Sequence, residues 1–238
     1  GGTALNIALI LAGGMGARMG QDIPKQFIHV NNIPVIIYTL QAFQDHPDID
    51  RIQVVCIDGW EAILRGYAQQ FNITKLAGVV SGGVTRFDST KQGMDALGAV
   101  QDEDVIIVHD AVRPLVTKES ISDTIRVCQR EGNSMTILDC VDTMYARTTD
   151  GYTQETVERS GIVRGQTPEA VTGRRMHEMY AKAEQAGLQL DSISALQIAL
   201  GMEIHFAQGS ERNIKLTRTE DIDLFKALLQ TERDGWLK

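Results

Sequence analysis

The 238-residue sequence predicts an α/β fold with a mainly parallel sheet. Apolar runs rich in Ile, Leu and Val alternate at least four times with segments of helical pattern, which is typical of parallel strands joined by crossover helices. Right-handed crossovers are expected for such connections. A polar tract after residue 143 interrupts the alternation and indicates a protruding β-arm.

The predicted strands are short apolar runs that end in glycines or in charged residues. "ALNIALILA" ends in glycines, and "DVIIVHDAVRP" stops at a charged cluster. Continuous apolar runs are typical of strands that are buried on both faces. The predicted strands span residues 4–12, 51–58, 75–83, 104–114, 134–146 and 203–209.

The segments between these strands carry helix signals. Pro34 stands near the first turn of one helix, where proline is tolerated. Asp88 or Ser89 stands near the start of another helix, as an N-cap does. Gly132 closes a third helix. The predicted helices span residues 34–46, 60–71, 86–97, 118–132, 174–187, 194–201 and 219–234.

The tract from Met144 to Gln166 is polar and alternates Thr, Tyr and Val. It contains Asp150-Gly151, and Asp-Gly between such segments is a hairpin signal. We therefore expect a two-stranded arm over residues 142–166. A lone hairpin is marginal in water, so the arm should pack on another surface, for which a second subunit is the natural candidate. The chain shows no internal repeat or linker, which predicts one domain over residues 1–238 that carries this arm.

Composition narrows the functional classes. The formal net charge of −8 argues against nonspecific binding of nucleic acid. The three cysteines form no CxxC pair, and with no secretory or membrane-spanning segment they indicate a reducing, cytoplasmic setting. The sequence leaves open whether Gly1-Gly2 are native.

Four groups of chemically distinctive residues follow predicted strands. Ligands of parallel α/β sheets bind beyond the carboxyl ends of the strands. We therefore expect all four groups to lie at one edge of the sheet. They are the glycine loop after residue 12, the Gly82-Gly83 turn, the His109–Arg113 cluster and Asp142-Thr143.

The glycine loop "LAGGMGARMGQDIPKQF", from Leu11 to Phe27, is a candidate phosphate site. Its glycines let a ligand approach the backbone, and Arg18 and Lys25 add positive charge. The loop lacks the Lys-Ser or Lys-Thr of a Walker motif, and its glycine spacing does not fit a dinucleotide fingerprint. A plain turn between strand and helix stays open as an alternative at this point.

Six ordered blocks resemble the cytidylyltransferases that act on methylerythritol phosphate and ribitol phosphate. The resemblance covers residues 6 to 230 and implies a three-layer, Rossmann-like nucleotidyltransferase fold with a dimerising β-arm. It also implies transfer of CMP from CTP to a polyol phosphate, with release of pyrophosphate. The blocks are "LAGGMGARMG…IPKQF", "GGVTRFDSTKQGM", "VHDAVRP", "DTMY", "RSGIVRGQTPEAV" and "GSERNIKLTRTEDI".

By this resemblance, Arg18, Lys25 and Lys215 stabilise the triphosphate and the charge that develops in the transition state. Arg159 would grip the polyol phosphate from the partner subunit's arm, and Thr143 would hydrogen-bond the same substrate. The residues implied in nucleotide binding are Leu11, Ala12, Gly13, Gly14, Met15, Gly16, Gly82, Gly83, Arg86 and Ser89.

The resemblance further implies that Asp110 holds Mg²⁺, a cation that prefers carboxylate and phosphate oxygens, and that Asp110 and Arg113 contact substrate. Structural roles stay open for both residues, because Asp110 could cap a helix or pair with Arg113. His109 is interpreted as a packed strand-end residue rather than a catalytic base. Asp191 is interpreted as the cap of the helix that follows it. A CTP sensor without catalysis is the alternative from another functional class.

Departures from the family pattern bear on the polyol. Val112 stands where the methylerythritol enzymes have alanine, Tyr145 where they have lysine, Ser192 where they have an acid and Glu169 where they have glutamine. The first two changes resemble the ribitol phosphate branch, which supplies CDP-ribitol for teichoic acid or another surface polymer. D-ribitol 5-phosphate is therefore favoured, and 2-C-methyl-D-erythritol 4-phosphate of isoprenoid synthesis is the alternative.

Overall fold

A computed structural model describes residues 2–14 and 23–235 and confirms the α/β fold. The central sheet has seven strands in the order β11-β7-β10-β6-β1-β4-β5. Six strands run parallel, and β10 runs antiparallel to both of its neighbours. The seven strands are β1 (Asn6–Ala12), β4 (Arg51–Cys56), β5 (Leu76–Ser81), β6 (Val105–Asp110), β7 (Asn133–Asp139), β10 (Val163–Thr172) and β11 (Phe206–Gln208).

Four shorter strands form two small pairs outside this sheet, and helices cover its two faces. The short strands are β2 (His29–Val30), β3 (Ile33–Pro34), β8 (Met144–Tyr145) and β9 (Thr156–Val157). The helices are α1 (Val35–Gln44), α2 (Glu61–Gln70), α3 (Arg86–Ala96), α4 (Lys118–Glu131), α5 (Gly173–Ala186), α6 (Ile193–Ala199) and α7 (Thr219–Gly235). No helix in the described part of the chain is long and apolar enough to cross a membrane.

Alternate residues of β1 serve two separate cores. Ala8 and Ile10 pack with side chains of α1, α2 and α4, whereas Ile7 and Leu9 pack with side chains of α3, α5 and α6. Successive side chains of a strand point to opposite faces, so the continuous apolar run of β1 fills both layers. The result is a three-layer arrangement, as the fold prediction required.

Glycines and caps fix the helix ends. Gly132 ends α4 at a φ of +95°, which confirms its predicted closing role. The predicted cap of α3 was wrong, because the side chain of Thr85 accepts the hydrogen bond from the Asp88 N–H at 3.1 Å. Thr85 is the N-cap residue, immediately before the helix, and from there its hydroxyl reaches the N–H of Asp88, the third residue of the helix.

The predicted fifth strand and the boundary of the arm need correction. Residues 134–146 do not form one strand, because β7 ends at Asp139 and the chain then passes through exposed Val141. The predicted arm over 142–166 ends earlier, because β10 begins at Val163 and enters the central sheet. Sequence reasoning missed β10, whose pairing shifts register between Gly165 and Glu169.

The arm itself is smaller than a regular hairpin. Its ladder contains two residue pairs, Met144 with Val157 and Tyr145 with Thr156. Gly151 has a φ of +81°, so Asp150-Gly151 makes a turn, but this turn lies within a longer loop and does not join the strands directly. The side chains of the arm are mostly exposed.

Gly93 lets α3 lie close to the sheet. A Cβ atom there would lie 2.6 Å from Val55 Cγ2 and 2.7 Å from Leu9 Cδ1. We expect Gly93→Ala to lower the free energy of unfolding by about 1–3 kcal/mol through overpacking, measured by urea denaturation. Gly66→Ala in α2 is the matched control, because nothing lies within 4 Å of its Cβ position. The control should gain about 0.5–1 kcal/mol, and equal shifts in both variants would contradict this explanation.

Candidate active site

Three of the four predicted groups of residues meet in a cavity at the carboxyl edge of the sheet, and the fourth, Asp142-Thr143, does not line it. The parallel strands β1, β5 and β6 end there, and the loops that follow them enclose a cavity of about 260 Å³. The walls combine glycine backbone with charged side chains. The cavity is lined by Leu11, Ala12, Gly13, Gly14, Lys25, Gln26, Gly83, Val84, Thr85, Arg86, Ser89, Asp110, Val112 and Lys215.

The glycine loop forms one wall of this cavity. Leu11 and Ala12, at the end of β1, belong to this wall. A short 3-10 helix (Lys25–Phe27) lies beside them and adds the half-buried Lys25 to the wall. Three predicted site residues of this loop, Met15, Gly16 and Arg18, lie outside the described residues.

The turn after β5 forms a second wall, and Ser89 fixes its shape. The Gly83 N–H donates a hydrogen bond of 3.0 Å to Ser89 Oγ. A Cβ atom on Gly83 would lie 2.4 Å from the Cβ of Asp88, so the turn requires glycine there. Gly82 lies behind this wall, next to Ser89. The turn therefore presents backbone and the first residue of α3, Arg86, to the cavity.

Asp110 is the electrostatic centre of the site. Its Oδ1 lies 2.7 Å from Arg86 Nη1, and its Oδ2 lies 3.4 Å from Arg113 Nε and 3.9 Å from Lys215 Nζ. Burial alone would raise the pKa of Asp110, but the positive charges of Arg86, Lys215 and Arg113 outweigh it and hold the pKa well below its usual range. Asp110 is therefore a carboxylate at neutral pH.

His109 and Thr167 form a buried chain of hydrogen bonds that holds the backbone of Asp110. His109 Nε2 lies 3.0 Å from the Arg113 carbonyl oxygen, so this nitrogen carries the proton and donates. Nδ1 is then the acceptor, at 3.0 Å, for the Thr167 hydroxyl, which itself accepts the Asp110 N–H at 3.1 Å. Burial lowers the pKa of His109 to about 4, so the ring is neutral. These contacts place His109 as a packed strand-end residue with no exposure.

The loop before α7 brings Lys215 to the cavity. The Leu216 N–H donates to the Val112 carbonyl oxygen at 2.9 Å, which fastens this loop to the strand-end cluster. Arg113 Nη1 donates to the Asn213 carbonyl oxygen at 2.7 Å, so Arg113 joins the same loop to Asp110. Arg113 was predicted to contact substrate, with a structural role left open; its contacts here are structural, and it does not line the described cavity.

Two predicted substrate residues lie apart from the cavity within one chain. Thr143 and Arg159 are exposed on the arm. Arg159 Nη1 donates a hydrogen bond to the carbonyl oxygen of Val141, the residue at the base of the arm. The structure therefore does not bring Thr143 and Arg159 together with Asp110 in a single subunit.

Sequence reasoning missed or misplaced several residues around the site. Gln26 and Thr167 stand in quoted motifs, but the contacts that make them important span 12 to 58 residues of sequence and have no local signal. The predicted capping role of Asp191 was wrong. Ser192 caps α6 by accepting the Ala195 N–H at 3.0 Å, because it stands at the last extended residue before the helix.

The side chains of the cavity can hold a metal ion only if a bound ligand supplies further oxygen atoms. Among the described residues, no group of three His, Cys, Asp or Glu side chains converges as a protein-only metal cage would require. Asp110 is the carboxylate of the described cavity wall, and Mg²⁺ is commonly bound by one or two carboxylates together with phosphates of a ligand. The residues therefore fit a divalent cation that arrives with a phosphorylated ligand.

The fold and this cation-lined cavity define an α/β protein of the nucleotidyltransferase class. The chain belongs to the family described as 2-C-methyl-D-erythritol 4-phosphate cytidylyltransferase (IspD), whose profile matches residues 6–231. It is therefore a cytidylyltransferase, an enzyme that uses CTP.

The names of relatives within the family specify two different polyol phosphates. A ribitol-5-phosphate cytidylyltransferase of Lacticaseibacillus paracasei is 39% identical over 94% of this chain and 97% of its own. A 2-C-methyl-D-erythritol 4-phosphate cytidylyltransferase of Syntrophus aciditrophicus is 33% identical over 95% and 96%. The crystal structure of 4-diphosphocytidyl-2C-methyl-D-erythritol synthase from Anaerococcus prevotii has a TM-score of 0.79 at 26% identity and covers 95% of this chain and 99% of its own.

Glu169 is a buried acid behind the site. Its Oε2 accepts the Ser194 hydroxyl at 2.7 Å, and its Oε1 accepts the Ile193 N–H at 3.3 Å. Burial raises the pKa of Glu169, and the Ser194 hydrogen bond and the charge of Arg86 only partly offset this effect.

A raised folded-state pKa predicts a pH trend for Glu169→Gln. The glutamate ionises more readily in the unfolded chain, so wild-type stability is lost as the pH rises from the usual glutamate range through the raised pKa. Glutamine does not titrate; its Oε1 can accept the Ile193 N–H, and its Nε2 can donate to the Ser194 hydroxyl, which then acts as the acceptor. We expect the variant to be more stable than wild type at pH 8, with a difference that shrinks toward pH 4, in urea unfolding. Exposed Glu203→Gln is the control, and a pH-independent difference for Glu169→Gln would contradict the prediction.

Proposed function

We propose that this enzyme transfers CMP from CTP to D-ribitol 5-phosphate and releases CDP-ribitol and pyrophosphate. The observation that carries the proposed nucleotide transfer is the convergence of Arg86, Arg113 and Lys215 on Asp110 beside the glycine loop. Such a cavity suits a polyanionic nucleotide and the extra negative charge that develops during phosphoryl transfer. CDP-ribitol would then serve a surface polymer such as teichoic acid, and the enzyme would act in the cytoplasm.

The substrate phosphate would attack the α-phosphorus of CTP and displace pyrophosphate. Catalysis of this reaction rests on positioning and charge stabilisation, because the attacking phosphate is already ionised and needs no general base. Lys25 and Lys215 would neutralise the phosphates, with Arg18 as a third cation. The enclosed, neutral His109 fits this scheme, since no step needs it to move a proton.

The nucleotide would lie along the glycine walls. Gly13 and Gly14 let the phosphates approach the backbone, and Gly83 and Ser89, with Gly82 supporting them from behind, would face the cytosine base. Arg86 joins the base wall to Asp110. Asp110 would hold Mg²⁺ together with the nucleotide phosphates, and the cation would supply further neutralisation of phosphate charge when bound.

The polyol would be recognised partly by a second subunit. Thr143 and Arg159 are exposed on an arm that lies apart from its own cavity, and the arm presents apolar side chains such as Val141 and Tyr145 to solvent. We propose a homodimer in which each arm brings its Arg159 to the polyol phosphate of the other subunit. An arm of this kind gains its stability by packing on a partner.

Two observations bear on the choice of polyol. The ribitol-5-phosphate enzyme of L. paracasei is 39% identical to the chain, against 33% for the methylerythritol enzyme of S. aciditrophicus. Val112, which departs from the methylerythritol pattern, lines the cavity. The alternative substrate is 2-C-methyl-D-erythritol 4-phosphate, supported by the family profile.

Pyrophosphate release tests the proposed substrate directly. The purified enzyme is incubated with CTP and Mg²⁺ and with either ribitol 5-phosphate or methylerythritol 4-phosphate, and kcat/KM is measured for each. We expect a preference for ribitol 5-phosphate of about 100-fold or more, because hydroxyl groups read by buried polar contacts give large discrimination. A comparable preference for methylerythritol 4-phosphate would assign the enzyme to isoprenoid synthesis instead.

Arg159→Ala tests the proposed role of the arm. Loss of a charge-assisted contact to the polyol phosphate should raise the KM for that substrate by about tenfold or more and leave the CTP dissociation constant within twofold. Arg147→Ala, a second arginine of the same tract, is the matched control and should change neither constant. A collapse of CTP affinity in Arg159→Ala would show that the assignment to the polyol is wrong.

A further inference from the structure

One buried side chain ties the start of the glycine loop to its end. Gln26 lies in the 3-10 helix that ends the loop and is 1% exposed. Its Nε2 donates to the Ala12 carbonyl oxygen at 2.7 Å and to the Gly14 carbonyl oxygen at 2.8 Å. A single amide group thus joins two points that are 14 and 12 residues away in sequence.

The orientation of this amide is fixed by its surroundings. An amide nitrogen has two hydrogens, and both are used by the two carbonyl oxygens. The reversed orientation would place Oε1 against those same oxygens, which would repel it. Oε1 finds no hydrogen-bond partner among the described residues, so within that part of the chain the amide acts as a donor.

The packing around Gln26 makes it a rigid point of attachment. The next residue, Phe27, is 2% exposed and stacks on Trp60 with ring centroids 4.7 Å apart. The Phe27 N–H also donates to the Pro24 carbonyl oxygen at 2.9 Å. A buried amide held by such packing can set the position of a loop that is otherwise rich in glycine.

We propose that Gln26 is a positioning residue for the triphosphate of CTP; this inference rests on the proposed placement of CTP in the cavity. Gln26 donates to the Gly14 carbonyl oxygen and shares the Ala12 carbonyl oxygen with the Ile57 N–H, so it holds these two backbone groups in fixed positions in the wall that faces the phosphates. It also fixes the point from which neighbouring Lys25 extends into the cavity. Preorganisation of this kind lowers the free-energy cost of placing an anion against these backbone groups.

Two substitutions separate the donor role of Gln26 from its volume. Gln26→Met keeps the length of the side chain and removes both hydrogen bonds, and Gln26→Glu replaces the donors by an acceptor. The matched control is Gln44→Met, because Gln44 also makes two hydrogen bonds, to Thr74 and to the Lys75 N–H. Lys75 precedes β5, so the control lies at the opposite edge of the sheet from the cavity.

The dissociation constant of CTP is measured by titration calorimetry in Mg²⁺ buffer, where the fitted stoichiometry separates loss of folded protein from loss of affinity. We expect Gln26→Met to weaken CTP binding by about tenfold or more. Gln26→Glu should weaken it further, since a carboxylate would face two carbonyl oxygens beside a triphosphate. In the Gln26 variants, the KM for the polyol phosphate should stay within twofold of wild type. The CTP affinity of the control, Gln44→Met, should also stay within twofold of wild type.

CTP affinity within twofold of wild type in both Gln26 variants would overturn the inference, as would an equal loss in Gln44→Met. Should Gln26→Met fail to fold, Gln26→Asn replaces it, because that amide is one methylene too short to reach both carbonyl oxygens. Lys25→Ala in the same series distinguishes a wrong placement of CTP from a wrong role for Gln26. If Lys25→Ala also leaves CTP binding and turnover unchanged, the proposed placement of CTP is wrong. If Lys25→Ala impairs them and the Gln26 variants do not, only the role of Gln26 is wrong.

Discussion

The carboxylate of Asp110 lies buried at the end of β6 with three cations drawn to it from separate parts of the chain. Arg86 comes from the start of α3, Arg113 from the turn after β6 and Lys215 from the loop before α7. Removing either partner of such a pair would leave an uncompensated charge at low exposure, which is strongly unfavourable. The positions of all three segments therefore depend on one another through Asp110.

We expect these ion pairs to matter more for the orientation of the cations in the site than for the free energy of unfolding. A buried ion pair is weak evidence for stability, because desolvation of both charges opposes their attraction. In the proposed mechanism its value lies in holding cations in place before a ligand arrives. Cations that are already oriented need little reorganisation when phosphate charge develops, and this is the main way in which enzymes favour phosphoryl transfer. The two cores on either side of β1 supply the rigidity on which this arrangement rests.

The periodic parts of the fold could be predicted from the sequence, and the irregular parts could not. β1 is a continuous apolar run, and both of its faces prove to be buried, as such runs indicate. β10 contains Gly165 and Pro168, which weaken any strand pattern, and its place between β6 and β7 depends on pairing across the sheet.

The same distinction applies to the site. Lys25, Arg86, Asp110 and Lys215 could be proposed from motifs, because each follows a strand or stands in a distinctive block, and the structure brings all four to one cavity. The contacts of Gln26 and Thr167 join distant segments, so they leave no trace in local sequence. Thr143 and Arg159 were also proposed from motifs, but within one chain they lie exposed on the arm and do not line the described cavity.

The most direct measurement is the CTP dissociation constant of wild type and Asp110→Asn, each with and without Mg²⁺. Asp110 is proposed to hold the cation, and it is also the negative charge of the described cavity wall. Mg²⁺ should tighten CTP binding by wild type much more than by the variant, because only wild type keeps the carboxylate that is proposed to hold the cation. Equal CTP affinities for the two proteins under both conditions would contradict the assignment of this cavity as the nucleotide site.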